Sequence, residues 1–84
     1  MHVEFLGIPR ERAGVSELEI DAETLGHLVR VLESRFPAFG ELIAAGRLHP
    51  SIAVNLNGDL FVRDPDTRFA KDDRLLILSA DAGG

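Results

Sequence analysis

Leu75, Leu76, Ile77 and Leu78 form an unbroken apolar run six residues before the last residue of the sequence. A strand with one wet face alternates apolar and polar residues, whereas a continuous run suits a central strand buried on both faces. Four residues are far too few to cross a bilayer. The run therefore has to sit in the middle of a sheet, and the other segments must supply its neighbours. With 84 residues there is material for one small domain.

The neighbours can be read from spacing. Val3 and Phe5 alternate with His2 and Glu4, and Leu18 and Ile20 alternate with Glu17, Glu19 and Asp21. Period two over short stretches predicts two strands, joined here through a loop at 9–14 punctuated by Pro9 and Gly14. Leu25, Leu28, Val29, Leu32 and Phe36 fall on one stripe at 3.6-residue spacing and predict a helix. Thr24 is the preferred N-cap, with Asp21 the competitor, and Pro37 is the stop. Phe39, Leu42 and Ile43 suggest one further helical turn. Ile52, Val54 and Leu56 predict a third strand, Asn57-Gly58 a tight turn, and Leu60 to Val62 a fourth strand. The reading is an α+β domain over residues 1–78: a mixed sheet of four to five strands with one main helix on one face. Residues 79–84 are expected to be a flexible tail.

Composition excludes several functions. The absence of Cys removes disulfides, thiolate metal sites and thiol nucleophiles. His2, His27 and His49 show no helical ligand spacing, so no metal site is expected. Asp64, Asp66, Asp72 and Asp73 lack the glycine and distal glutamate of a calcium loop and read as solvated charge. The net charge is −5 and the arginines are dispersed among acids, which argues against nucleic acid as a partner. No run is long enough for a membrane span. Met1 to Phe5 lacks the features of a signal peptide, so a cytoplasmic protein is expected. No nucleophile–base pair or phosphate loop can be assembled, so an independent enzyme is not expected. Lys71, the only lysine, reads as a solvated cation. Leu42, Leu60 and Phe61 could be core or an exposed apolar patch.

The chemistry-bearing feature is the terminus. After Leu78 the chain runs Ser79-Ala80-Asp81-Ala82-Gly83-Gly84. Fully extended, six residues reach about 20 Å. Residues without a Cβ can thread a narrow channel and leave the terminal carbonyl open to attack. A carboxylate is itself a poor electrophile. Adenylation by ATP would make it a mixed anhydride, from which a sulfur or nitrogen nucleophile could displace AMP. A frayed end with no function is the plain alternative.

Taken together, the segments resemble the MoaD/ThiS family of ubiquitin-like sulfur carriers. Val3-Glu4-Phe5 with Pro9-Arg10-Glu11 and Gly14 is similar to the family's first strand and loop, on the MoaD-like side. Thr24-Leu25 through Phe36-Pro37 is similar to its helix. Val54-Asn55-Leu56-Asn57-Gly58 is similar to its central strand and turn. Thr67, Phe69, Lys71-Asp72-Asp73 and Leu75 to Leu78 are similar to its last strand and approach, and Gly83-Gly84 to its terminus. The resemblance implies a β-grasp fold and no bound cofactor. It also implies a ubiquitin-activating-type enzyme that uses ATP to adenylate the Gly84 carboxylate, a sulfur donor that makes the thiocarboxylate, and an acceptor enzyme. Ala82, Gly83 and Gly84 would thread the partners' active sites. The small subunit of a molybdopterin synthase and a ubiquitin-like protein modifier are the alternatives.

Overall fold

The computed structural model describes residues 1–80. In chain order the elements are β1 (His2–Leu6), α1 (Ile8–Ala13), β2 (Glu17–Glu19), α2 (Leu25–Arg35), a 3₁₀ helix (Pro37–Leu42), β3 (Ile43–Ala44), β4 (Arg47–Leu48), β5 (Ile52–Leu56), β6 (Leu60–Val62) and β7 (Arg74–Ser79). The strand that contains the apolar run, β7, is the middle strand of a five-stranded sheet ordered β2-β1-β7-β5-β6. It pairs parallel with β1 and antiparallel with β5. β3 and β4 form a separate two-stranded ribbon.

One face of the sheet carries the core. Val3, Phe5, Ile52, Val54, Val62, Leu75 and Ile77 alternate along their strands and are all buried. Leu25, Leu28, Val29 and Leu32 of α2 and Phe39 and Leu42 of the 3₁₀ helix belong to the same cluster. Phe5 meets the edges of Phe36 and Phe39, with ring centroids 6.3 and 5.8 Å apart. Such pairs add about 0.5–1.5 kcal/mol beyond the area they bury. Leu42 is therefore core, while Leu60 and Phe61 are exposed.

Thr24 caps α2, its Oγ1 accepting from the His27 N–H at 3.1 Å. The amides of Leu25 and Gly26 are satisfied from outside the helix: Leu25 N–H donates to Thr67 O at 3.0 Å and Gly26 N–H to Pro65 O at 2.9 Å. The charged connection at 63–73 is thus fastened to the helix start.

Three expectations need correction. Residues 9–14 are not a loop, because Ile8–Ala13 is helical. Pro9 sits in the first turn, where its missing N–H costs nothing, and Gly14 closes the helix at φ 75° with its N–H on Arg10 O at 2.9 Å. Pro9 and Ala13, four apart, are the buried face. The second correction is the β3–β4 ribbon, which turns through Ala45 and Gly46 at φ 54° and 76°. A left-handed Ala is uncommon enough that nothing in the sequence announced the turn. The third concerns Leu76, which is half-buried, not buried. Leu78, on the same outer face, is buried, so that face of β7 opens at Leu76 and closes toward the strand's end.

Candidate functional site

The exit of β7 and the open face of the sheet make up the site. At the exit, Ser79 is the last residue of β7, paired with Ile52. Ala80 N–H still donates to Ser51 O at 2.7 Å. Ser51 is held in turn by His49, whose Nδ1 accepts from the Ser51 N–H at 3.0 Å and lies 2.8 Å from its Oγ. The Ser79 Oγ accepts from Ile8 N–H at 3.3 Å. The chain is thus hydrogen-bonded to the domain two residues beyond Leu78. Ala82, Gly83 and Gly84, the residues expected to thread into partners, lie outside the described residues.

Strand pairing composes the open face in cross-strand rows. One row runs Leu6, Leu78, Ala53; the next runs Glu17, Glu4, Leu76, Asn55, Phe61; a third runs Glu19, His2, Arg74. Along the rows the character changes. Leu6 is 44% and Phe61 64% exposed, Leu76 and Ala53 between them are half-buried, and Leu78 is buried at 6%. This apolar part reaches the end of the sheet from which Ser79 and Ala80 leave. The charged part, with three carboxylates, His2 and Arg74, lies toward β2 and the opposite end. Exposed apolar side chains grouped beside a chain exit are of the kind that mark interaction sites.

The aspartates of 64–73 act locally. Asp64 Oδ1 accepts from Asp66 N–H at 2.9 Å, and Asp73 Oδ2 from Ala70 N–H. The Asn57 amide donates to Asp73 Oδ1 at 3.0 Å, and Asn57 Oδ1 accepts from Arg74 N–H at 2.8 Å. The bonds to Asp73 hold its carboxyl below the ordinary pKa, the Asn57 bond most and the Ala70 amide next. The Asn57 contacts tie the Asn57-Gly58 turn to the start of β7. Lys71 is exposed in this connection.

Comparison with other proteins decides the family. Residues 3–84 match the ThiS family. The chain belongs to the ThiS family. A ThiS-family match that runs through residue 84 takes in the two terminal glycines. Among solved structures, a chain of the Amycolatopsis orientalis BexX/CysO complex is 30% identical, with a TM-score of 0.80 over 99% of this chain and 98% of that one. The small archaeal modifier protein SAMP1 of Methanosarcina acetivorans is 26% identical, with a TM-score of 0.81 over 99% and 94%. CysO of Mycobacterium tuberculosis is 26% identical, with a TM-score of 0.77 over 94% and 97%. No curated protein sequence matches. The fold is accordingly the ubiquitin-like β-grasp, and the chain is a member of a family of small carrier and modifier proteins. Among the described residues, no helix is long and apolar enough to cross a membrane.

Proposed function

We propose that this ThiS-family protein is a sulfur carrier whose reacting group is the Gly84 carboxylate. The observation that carries the reading is the family match extending through Gly83-Gly84, and the open apolar face beside the exit of β7 supports it. In the first step a carboxylate oxygen attacks the α-phosphorus of ATP on an activating enzyme, forming the acyl adenylate and releasing pyrophosphate. A sulfide-level donor then adds to the carbonyl carbon and AMP leaves, giving the thiocarboxylate. An acceptor enzyme takes the sulfur onward. The chain itself supplies no acid, base or cofactor. It presents the terminal carbonyl, and the partner supplies ATP and the charges that neutralise the phosphates.

The partner recognises the domain through Leu6, Leu76 and Phe61, while the residues after Ala80 enter its active site. Four extended residues span about 13–14 Å, enough to pass from a surface into a cleft. A relative at 30% identity was solved within the BexX/CysO complex, which supports a partner for this chain as well.

A second reading has its own support in the likeness to a protein named as a modifier. The same acyl adenylate attacked by a lysine amine, directly or through a thioester, gives an isopeptide bond.

Intact-mass measurement after incubation with ATP, an activating enzyme of the family and a sulfide source tests the first reading. The expected product is the full chain with one oxygen exchanged for sulfur. Unmodified chain with every activating enzyme tried would refute it. Branched Gly-Gly remnants on lysines of cellular proteins would establish the modifier reading instead.

A further inference from the structure

The charged end of the open face holds an arrangement of a different kind. His2 and Glu4 are two residues apart on β1, so the pleat puts both on the same face. The β1–β2 register sets Glu17 opposite Glu4 and Glu19 opposite His2. The His2 Nε2 lies 3.4 Å from Glu4 Oε1 and 3.6 Å from Glu17 Oε2. Donor atoms of all three residues fall within 4.8 Å of one another. Both distances exceed the roughly 2.7–3.2 Å of an N–H···O bond. They are close to the edge of a coordination tetrahedron: ligand bonds of about 2.0–2.1 Å place neighbouring donors about 3.3–3.4 Å apart.

The other side of the ring is set for the same purpose. His2 Nδ1 lies 2.7 Å from Glu19 Oε1. An ionised carboxylate only accepts, so in the neutral ring Nδ1 carries the hydrogen and the Nε2 lone pair faces Glu4 and Glu17. A carboxylate behind a histidine in this way fixes the tautomer and strengthens the donor of a metal ligand. The side chain of His2 is only 19% exposed, so the ring is held between its neighbours while the carboxylates reach solvent. Glu4 and Glu17 are like charges directly across a strand pair, which is unfavourable by itself. Among the described residues, no Lys or Arg forms an ion pair with either.

We propose that His2, Glu4 and Glu17 form a binding site for a divalent cation of the zinc class, with Glu19 positioning the imidazole and water completing the coordination. One nitrogen and two carboxylate oxygens favour zinc or a similar transition metal over magnesium, which prefers an all-oxygen shell. Two groups oppose the cation: Arg74, which pairs with His2 across β1 and β7, and the Met1 amine, 3.9 Å from Glu19 Oε2. They keep the affinity modest. The carboxylates also favour a proton on the ring: the His2 pKa is raised, by the Glu19 hydrogen bond first and by the Glu17 and Glu19 charges, against desolvation and Arg74. Helical spacing and thiolates give no sign of such a site. On a strand the relevant spacing is two, and the third ligand comes from a cross-strand neighbour.

The test is calorimetric titration of the untagged, chelator-treated full chain with zinc chloride at a mildly alkaline pH, where the ligands are deprotonated. The expected result is one zinc per chain with micromolar affinity and no saturable binding of magnesium. Imidazole nitrogen NMR should show His2 Nε2 moving on saturation while His27 and His49 stay put. Glu17→Gln, on an exposed edge position, and His2→Gln should each weaken binding at least roughly tenfold, and Glu19→Gln by about tenfold. Absence of saturable binding overturns the site. So does unchanged affinity in Glu17→Gln and His2→Gln, which would put the metal elsewhere on the chain.

Discussion

The Asn57 side-chain amide donates to Asp73 Oδ1 across 3.0 Å, joining the turn after β5 to the residue before β7. Asn57 is also left-handed, at φ 57°, and its backbone N–H donates to Arg74 O at 2.7 Å. One residue therefore both makes a turn and pins the central strand. Asn57→Ala should lower stability by about 2 kcal/mol, part from the positive φ and part from the lost bonds. Asn57→Gly should cost less, because it restores the backbone and loses only the side chain. Urea denaturation of the two variants separates the contributions.

Asp73 gives the acid-side pH dependence. Its folded pKa is lowered from 3.8, so its contribution to stability is fully present above that unfolded value. The contribution is lost as pH falls through the lower folded value. Between about pH 5 and pH 2, the range over which such carboxylates titrate, wild type should lose more stability than Asp73→Asn. Equal losses in denaturation midpoints across that range would remove Asp73 from the acid response.

Gly26 is a helix glycine whose replacement should not help. Alanine normally gains about 1 kcal/mol over glycine in a helix. Here an added Cβ would meet Pro65 Cβ and Pro65 O at 3.3 Å, and that oxygen accepts the Gly26 N–H. Any retreat of the neighbour stretches that bond. Gly26→Ala should lower the melting temperature, whereas Gly40→Ala, which meets nothing nearer than Glu33 Oε2 at 3.9 Å, should leave it unchanged or raise it slightly.

Phe61 offers a test of the docking face that leaves the core alone. It is 64% exposed on β6. Phe61→Asp should change stability by no more than about 0.5 kcal/mol. If the apolar face seats the activating enzyme, the same change should reduce kcat/KM for thiocarboxylation by roughly tenfold or more, as loss of a central aromatic contact does. Unchanged kinetics would move the docking surface elsewhere.

Removal of Gly84 should abolish sulfur loading without shifting the melting temperature. The last hydrogen bond described between chain and domain is at Ala80. If the terminus threads a partner's channel as proposed, Gly83→Ala should load more slowly, because a Cβ would crowd that channel.

Periodicity exposed most of the sheet and the whole of α2, because both rest on repeated apolar positions over several residues. Thr24 as cap and Asn57-Gly58 as turn were equally legible, each being a local conformational need met by a suited residue. The short elements were not. At α1, Pro9 and Gly14 are read as loop signals, yet they are the start and stop of a helix too short to show a stripe. The β3–β4 ribbon depends on a left-handed Ala45. The position of Phe61, Leu6 and Leu76 on one open face follows from register, which needs the partners of β7 to be known. His2, Glu4 and Glu17 are invisible as a group for the same reason, since the third member comes from another strand. The terminal glycines are the reverse case: plain as a motif, and informative only through the chemistry they permit.

The parallel pairing of β1 with β7 puts residue 2 beside residue 74 at the centre of the sheet. During synthesis β1 leaves the ribosome long before β7 does. The nascent chain cannot assemble its central pair until the later strand has emerged, and closing so long a loop makes that the slow, non-local step. A product cut short before β7 has no central strand and stays open to proteases. Folding of the sheet thus waits on the strand that precedes the two glycines in sequence.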